Sequence, residues 1–320
     1  MVRFWLLATH RQQTGPRHEN GVTMNILQRM HEIHELPTLP EVLFKVQELV
    51  NSDEGNASTL ARITEQDPSL TTKILKVANS SYFGPVNQRI SSLPLAIARI
   101  GFNEVRNIVT AISCIKQFSK RSNLLDYRAF WRHSLTAAYL TKIIADTAQI
   151  RYTPQDRQFF FLTGLLHDIG ILVFDQFFHM EFEEIMDYAL RKECSFLVAE
   201  RQIIGKESHS VVGSALLELW KIDPTVISGV RYHHDGQGKV PEQHRSIAQV
   251  SCITEYVLCN CSLGSFEGTI QEIDKGLLDA FKLTPDTMTS LFATAESQVE
   301  KSDLIVSMGM AGPSGELRRI

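Results

Sequence analysis

His133, His167, His209, His233 and His234, five of the chain's eleven histidines, fall at or near the ends of helical segments beyond residue 127, and Asp168 stands beside His167. Imidazole nitrogen and carboxylate oxygen together suit zinc, iron or manganese, and a carboxylate next to a histidine can bridge two ions. Taken singly, a histidine at a helix end is more often held by the helix dipole or by water than by a metal. The order of residues shifts that balance. In Leu165-Leu166-His167-Asp168-Ile169-Gly170 the pair follows an apolar run, so the carboxylate sits at the rim of a buried helix, where leaving it unpaired is costly.

Other residues with chemical potential read more simply. Cys114, Cys194, Cys252, Cys259 and Cys261 are odd in number and no two have CxxC spacing, which indicates neither a disulfide framework nor a thiolate zinc site. Cys259 and Cys261 are assigned to packing. Asp67, followed by Pro68, reads as a helix cap rather than a ligand. Asn79 reads as a side chain that satisfies backbone groups in the turn to Gly84, with a partner-binding loop as the functional alternative. Trp131 and Trp220 read as core. Lys116, Lys120, Arg121 and Arg128 read as a solvated basic face.

The elements that position these residues are helical. From Met24 to about Val299 apolar residues recur at three and four positions, as in Val42, Leu43, Val46, Leu49 and Val50, and alternation at period two is nearly absent. In the second block the periodicity predicts helices over 133–145, 158–166, 182–190, 195–204, 211–220, 224–232, 246–258 and 284 to about 299. The expected organisation is a flexible extension at 1–23, a helical lobe at 24–121, a seam near Lys120-Arg121-Ser122-Asn123, a second helical lobe at 122–299 and a disordered tail at 300–320.

Composition bounds the rest. The chain has 320 residues, a net charge of −4 and a pI near 6.3, so no basic excess advertises nucleic-acid binding. No uncharged apolar run approaches the roughly 18 residues of a spanning helix. The apolar stretch Phe4 to Ala8 is too short for a signal peptide, and with the cysteine usage this predicts a cytoplasmic protein.

From Leu36 to about Leu258 the chain resembles the HDOD family, the output domains of bacterial signalling proteins related to the HD and HD-GYP metal-dependent phosphohydrolases. The matching residues are Leu36-Pro37-x-Leu39-Pro40, Asp67-Pro68-x-Leu70, Ala78-Asn79-Ser80-x-Tyr82, Ala96 with Ile100-Gly101, Trp131-x-His133-Ser134, Gly164 to Gly170, His209 with Gly213, and His233-His234-Asp235. The resemblance implies an all-α fold, an N-terminal helical bundle packed on a C-terminal HD-like bundle, with the family core at about 36–240.

It also implies a ligand set. A first metal would use His133, His167, Asp168 and, where relatives usually carry aspartate, Glu255; a second would share Asp168 and take His209, His233 and His234. The position that in some relatives holds a third ion is Ala129, so one or two ions of iron, manganese or zinc are expected. Two features of the enzymes that hydrolyse cyclic di-GMP are missing: their phosphate-holding lysine is Ile171 here, and no Gly-Tyr-Pro loop follows His233-His234. The expected function is therefore that of a stand-alone signalling module acting through protein binding, with partners the sequence does not name. The alternative is an active phosphohydrolase on a nucleotide or cyclic dinucleotide.

Overall fold

The computed structural model describes residues 25–33, 35–51, 56–85, 88–118, 124–148, 156–235, 240–264 and 272–311. The expected extension at 1–23 and the seam at 120–123 lie outside these residues, as does the tail from residue 312. Among the described residues there is no strand, and the fold is all-α.

The N-terminal block consists of α1 (Ile26–Glu32), α2 (Glu41–Asn51), α3 (Ala57–Glu65), α4 (Pro68–Ala78), α5 (Leu93–Ile100) and α6 (Phe102–Gln117). Local chemistry sets several of its boundaries. Asp67 caps α4 by accepting from the Leu70 amide, while its other oxygen pairs with Lys116 at 2.7 Å. Lys116 is thus tied to that cap instead of lying on a free basic face. Asn79 closes α4 as a backbone clamp: its amide donates to the carbonyls of Leu75 and Ile90, and its oxygen accepts from the Ile90 amide, each at 2.7 Å.

The C-terminal block follows with α7 (Tyr127–Thr147), α8 (Asp156–Leu166), α9 (Ile169–Phe177), α10 (His179–Lys192), α11 (Phe196–Ile203), α12 (His209–Leu219), α13 (Pro224–Arg231), α14 (Arg245–Asn260), α15 (Lys275–Ala280) and α16 (Pro285–Met310). Asp126 starts α7 one and a half turns before the periodicity does, because its side chain caps the Arg128 and Ala129 amides. Helix α9 escapes the periodicity altogether. Every residue from Ile169 to Asp175 is buried, so no polar face marks a helix. By length and composition Gln158–Phe177 would suffice to cross a membrane, yet 89 % of that stretch is buried inside the fold.

The two blocks share one continuous apolar core, which runs from Ile26 through Trp131 and Phe174 to Val230 and takes in Ile305 and Val306. A second cluster joins α7, α14, α15 and α16. Trp131 and Trp220 are both core residues, and the Trp220 indole donates to the Pro37 carbonyl at 2.6 Å, across the two blocks. Helix α1 also reaches across, with Arg29 paired to Glu181 and the Ile26 amide donating to Glu207.

The expectation of disorder from residue 300 is corrected over its first eleven positions. Helix α16 continues to Met310 and packs against α4, α6 and α7, with Lys301, Ser302, Ile305, Val306 and Gly309 buried. Lys301 reaches Glu104 at 2.9 Å and lies over the Tyr139 ring at 3.5 Å. The buried Lys73 ammonium donates to the carbonyls of Gly309 and Ala311, which terminates the helix on a cation.

Candidate metal centre

Five helices deliver the seven residues that the resemblance implicates, and the fold brings all seven together. His133 projects from the middle of α7, His167 and Asp168 occupy the turn between α8 and α9, and His209 is the first residue of α12. His233 and His234 follow α13, and Glu255 lies on α14. Asp168 is central. Its Oδ2 lies 3.4 Å from His133 Nε2 and 3.2 Å from His167 Nε2, while its Oδ1 lies 3.4 Å from His209 Nε2 and 3.5 Å from His233 Nε2. Glu255 Oε2 stands 3.5 Å from His167 Nε2 and 3.8 Å from His133 Nε2. His234 Nε2 is 3.1 Å from His209 Nε2. The donor atoms therefore form two groups that share the aspartate, one with His133 and His167 and one with His209, His233 and His234.

Outer partners orient the rings. The Nδ1–H groups of His133, His167 and His233 donate to the carbonyls of Leu263, Gly164 and Val230 at 2.6, 2.8 and 2.6 Å. His209 Nδ1 donates to Glu200 Oε2 at 2.9 Å, and the His209 backbone amide donates to the other oxygen of the same carboxylate. A carbonyl accepts and cannot donate, so in each neutral ring the remaining lone pair sits on Nε2 and faces the centre. Four such nitrogens and two carboxylates then converge, with His133 Nε2 and His167 Nε2 only 2.9 Å apart.

Close helix approach makes this convergence possible. A Cβ at Gly170 would lie 2.0 Å from the His209 carbonyl oxygen, and one at Gly164 would lie 2.6 Å from the Ala137 carbonyl oxygen. Glycine at these positions lets α9 meet the start of α12, and α8 meet α7.

Electrostatics describe what the cluster demands. Burial opposes a charged His167, but Asp168 and Glu255 overcome it and raise the pKa well above the ordinary imidazole value. His209 follows the same pattern, with Glu200 and Asp168 outweighing burial and lifting it to about 10. Burial lowers His233 and holds His234 well below the ordinary value, helped in the latter by His233 and His209. Against burial, the surrounding imidazoles keep Asp168 and Glu255 below the usual carboxylate range. The two carboxylates thus favour positive charge at the centre. The residues fit a divalent cation by the same test: Glu255 Oε2 and His234 Nδ1 are buried without a hydrogen-bond partner, and the inward lone pairs suit a transition metal.

The HDOD domain family model matches residues 36–236. The chain belongs to the HDOD family. A solved HDOD domain protein of unknown function from Geobacter sulfurreducens is 24 % identical with a TM-score of 0.72, covering 88 % of this chain and 95 % of that one. A Marinobacter aquaeolei VT8 structure, described as that of a candidate signal transduction protein, is 20 % identical with a TM-score of 0.72, covering 90 % of this chain and 62 % of that one. Among curated proteins, an uncharacterised protein of Treponema pallidum (strain Nichols) is 23 % identical over 78 % of this chain and 47 % of its own length. The chain spans about half or less of the length of the curated relatives it matches.

In this HDOD protein Ile171 is 1 % exposed and belongs to the core of α9, so the position offers no side chain to a phosphate. Residues 236–239, in the segment after His233-His234 that lacks the Gly-Tyr-Pro signature, fall outside the described residues. Two contributors escaped the reading of the sequence. Glu200 is wholly buried, although on the short α11 it reads like a surface glutamate; only its partnership with His209, nine positions on, distinguishes it. Cys259, assigned to packing, also donates its thiol to Glu255 Oε1 at 3.2 Å, one helical turn away.

Proposed function

We propose that this HDOD protein is a cytoplasmic signalling module that acts through protein binding, with one or two iron, manganese or zinc ions held structurally by the buried cluster. His133, His167, Asp168 and Glu255 would hold one ion, and Asp168, His209, His233 and His234 the other. Such an ion would supply the fixed positive charge that the carboxylates and inward lone pairs call for.

The observation that carries this reading is burial. His133, His167, Asp168, His209 and His233 are each at most 4 % exposed. Catalytic metal sites keep an open position for water and substrate, whereas structural sites are closed. The apolar Ile171 adds to it, since phosphoryl transfer needs cationic stabilisation of developing charge. All five cysteines are free, in keeping with a reducing compartment. The description of the Marinobacter structure supports the signalling role.

A second reading has its own support. Asp168 directs one oxygen to each donor group, the arrangement a bridging carboxylate adopts in two-metal hydrolases. Elemental analysis of the purified protein, followed by a screen of cyclic dinucleotides and nucleotides, separates the two. Retained metal without turnover is expected. Turnover of a cyclic dinucleotide that disappears in Asp168→Ala would overturn the binding module and establish the enzyme.

A further inference from the structure

A second concave site lies away from the cluster, where α2 and α6 face α8 and the entry to α13. Its volume is about 310 Å³, at the lower end of the roughly 300–1,000 Å³ typical of small-molecule sites. One wall is apolar, including Leu43 and Phe159; the other carries Arg106, Asn107, Thr110 and Gln158.

The polar wall is only partly satisfied from within the protein. Asn107 and Thr110 are 4 % and 6 % exposed, and both line the cavity. Gln158 Nε2 is buried with no partner, while its Oε1 accepts from Arg106 at 3.3 Å and so fixes which end of the amide donates. Arg106 has no ion pair among the described residues, and its other contact is the Phe102 ring at 6.0 Å. Burial lowers the guanidinium pKa from its ordinary 12.5, but a guanidinium remains charged at neutral pH. Buried polar groups are nearly always paired. Here the unpaired Gln158 amide nitrogen lines a single cavity together with the buried Asn107 and Thr110 and the half-buried Arg106, beside an apolar surface.

We infer that this cavity binds an amphipathic monocarboxylate, its carboxylate on Arg106, Gln158 and the Thr110 hydroxyl, one turn along α6 from Arg106, and its apolar body against Leu43 and Phe159. The planar guanidinium fork matches a carboxylate in bidentate fashion. One deep cation matches one negative charge, and the Asp223 carboxylate among the lining residues, with Lys221 beside it, disfavours a dianion. The inference is independent of any metal in the histidine cluster. The two C-terminal helices that line the cavity lead to that cluster, α8 to His167 and α13 to His233.

Isothermal titration of the full chain with octanoate, octanol and inorganic phosphate tests it. Octanoate should bind saturably with a Kd below about 1 mM. Arg106→Met should weaken it roughly ten- to a hundredfold, the range for a charge-assisted hydrogen bond. Octanol and phosphate should bind at least about tenfold more weakly than octanoate, since each offers half of the recognised chemistry. Three results overturn the site: no octanoate binding at about 10 mM, unchanged affinity in Arg106→Met, or phosphate binding as tightly as octanoate. Should Arg106→Met lose its cooperative melt, the near-isosteric Thr110→Val decides. A weakening of about threefold or more is expected there, and wild-type affinity in Thr110→Val overturns the inference.

Discussion

Glu200→Gln removes one oxygen's charge and none of the side chain's volume, which isolates the orientation of His209. In the native protein both carboxylate oxygens accept, one from the His209 backbone amide and one from its Nδ1–H. Glutamine can accept at only one end, and its NH2 must then face a donor. The imidazole can relieve that conflict by shifting its proton to Nε2, which removes the lone pair now directed past Asp168 Oδ1 at 3.4 Å. Loss of one hydrogen bond to a charged group costs about 1.5–3 kcal/mol, or roughly 2–5 °C of Tm for a chain this long at about 2.1 cal/mol/K per residue. Metal affinity should fall about 10- to 100-fold, as for other outer partners of ligating histidines. Competition with a chelator gives the affinity, and melts with and without chelator give the stability. The reasoning is refuted if Glu200→Gln retains the wild-type metal affinity. A lower melt alone would reduce Glu200 to an anchor between α11 and α12.

Further expectations follow from packing and burial. Truncation after Glu300 exposes the sites filled by Ile305 and Val306, about 1.5–3 kcal/mol each, and removes the Gly309 and Ala311 carbonyls that accept from the buried Lys73. A large fall in the urea midpoint is expected, and an unchanged midpoint would show that the end of α16 is dispensable. Gly170→Ala must move α9 from α12 to clear the His209 carbonyl, an overpacking cost of about 1–3 kcal/mol. Thermal melts should drop, and a wild-type Tm would mean the helices yield freely. Burial pushes the Cys114 thiol from its ordinary 9.0 up to about 12, so the folded state keeps a proton that the unfolded chain sheds. That contribution is complete below pH about 9 and declines as pH rises toward 12. In native protein at pH about 8 Cys114 should resist iodoacetamide while denatured protein reacts, and rapid native labelling mapped by mass spectrometry would contradict its burial.

The histidines and Asp168 stood out by residue type and order, and their grouping into one ligand set came from the family resemblance. The run Leu165 to Gly170 couples an apolar helix to an adjacent His and Asp, and His233-His234 closes a segment opened by Asp223-Pro224. Glu255 was legible only through the family resemblance, since inside α14 nothing local separates it from any other helical glutamate. Helix α9 was hidden by the completeness of its burial, and the last ten residues of α16 by the mixed character of Lys301-Ser302-Asp303-Leu304-Ile305-Val306. Neither segment has a one-sided apolar pattern, because each is covered by several neighbouring helices.

What the sequence by itself determined is the kind of chemistry and the kind of element: nitrogen and oxygen donors in order, helices begun by Asp67 and Asp223, and almost no alternation at period two. Those properties depend on side-chain type and on neighbours a few positions away. Only the tertiary structure decided that donors from five helices meet around Asp168, that Glu200 sets the proton on His209, and that Arg106 and Gln158 share a cavity between the blocks. Such pairings join residues far apart in the chain through closely packed helices. Their geometry is set by the side chains lying between the helices, including the absence of one at Gly164 and Gly170, and a spacing pattern along one helix contains no record of what packs against it.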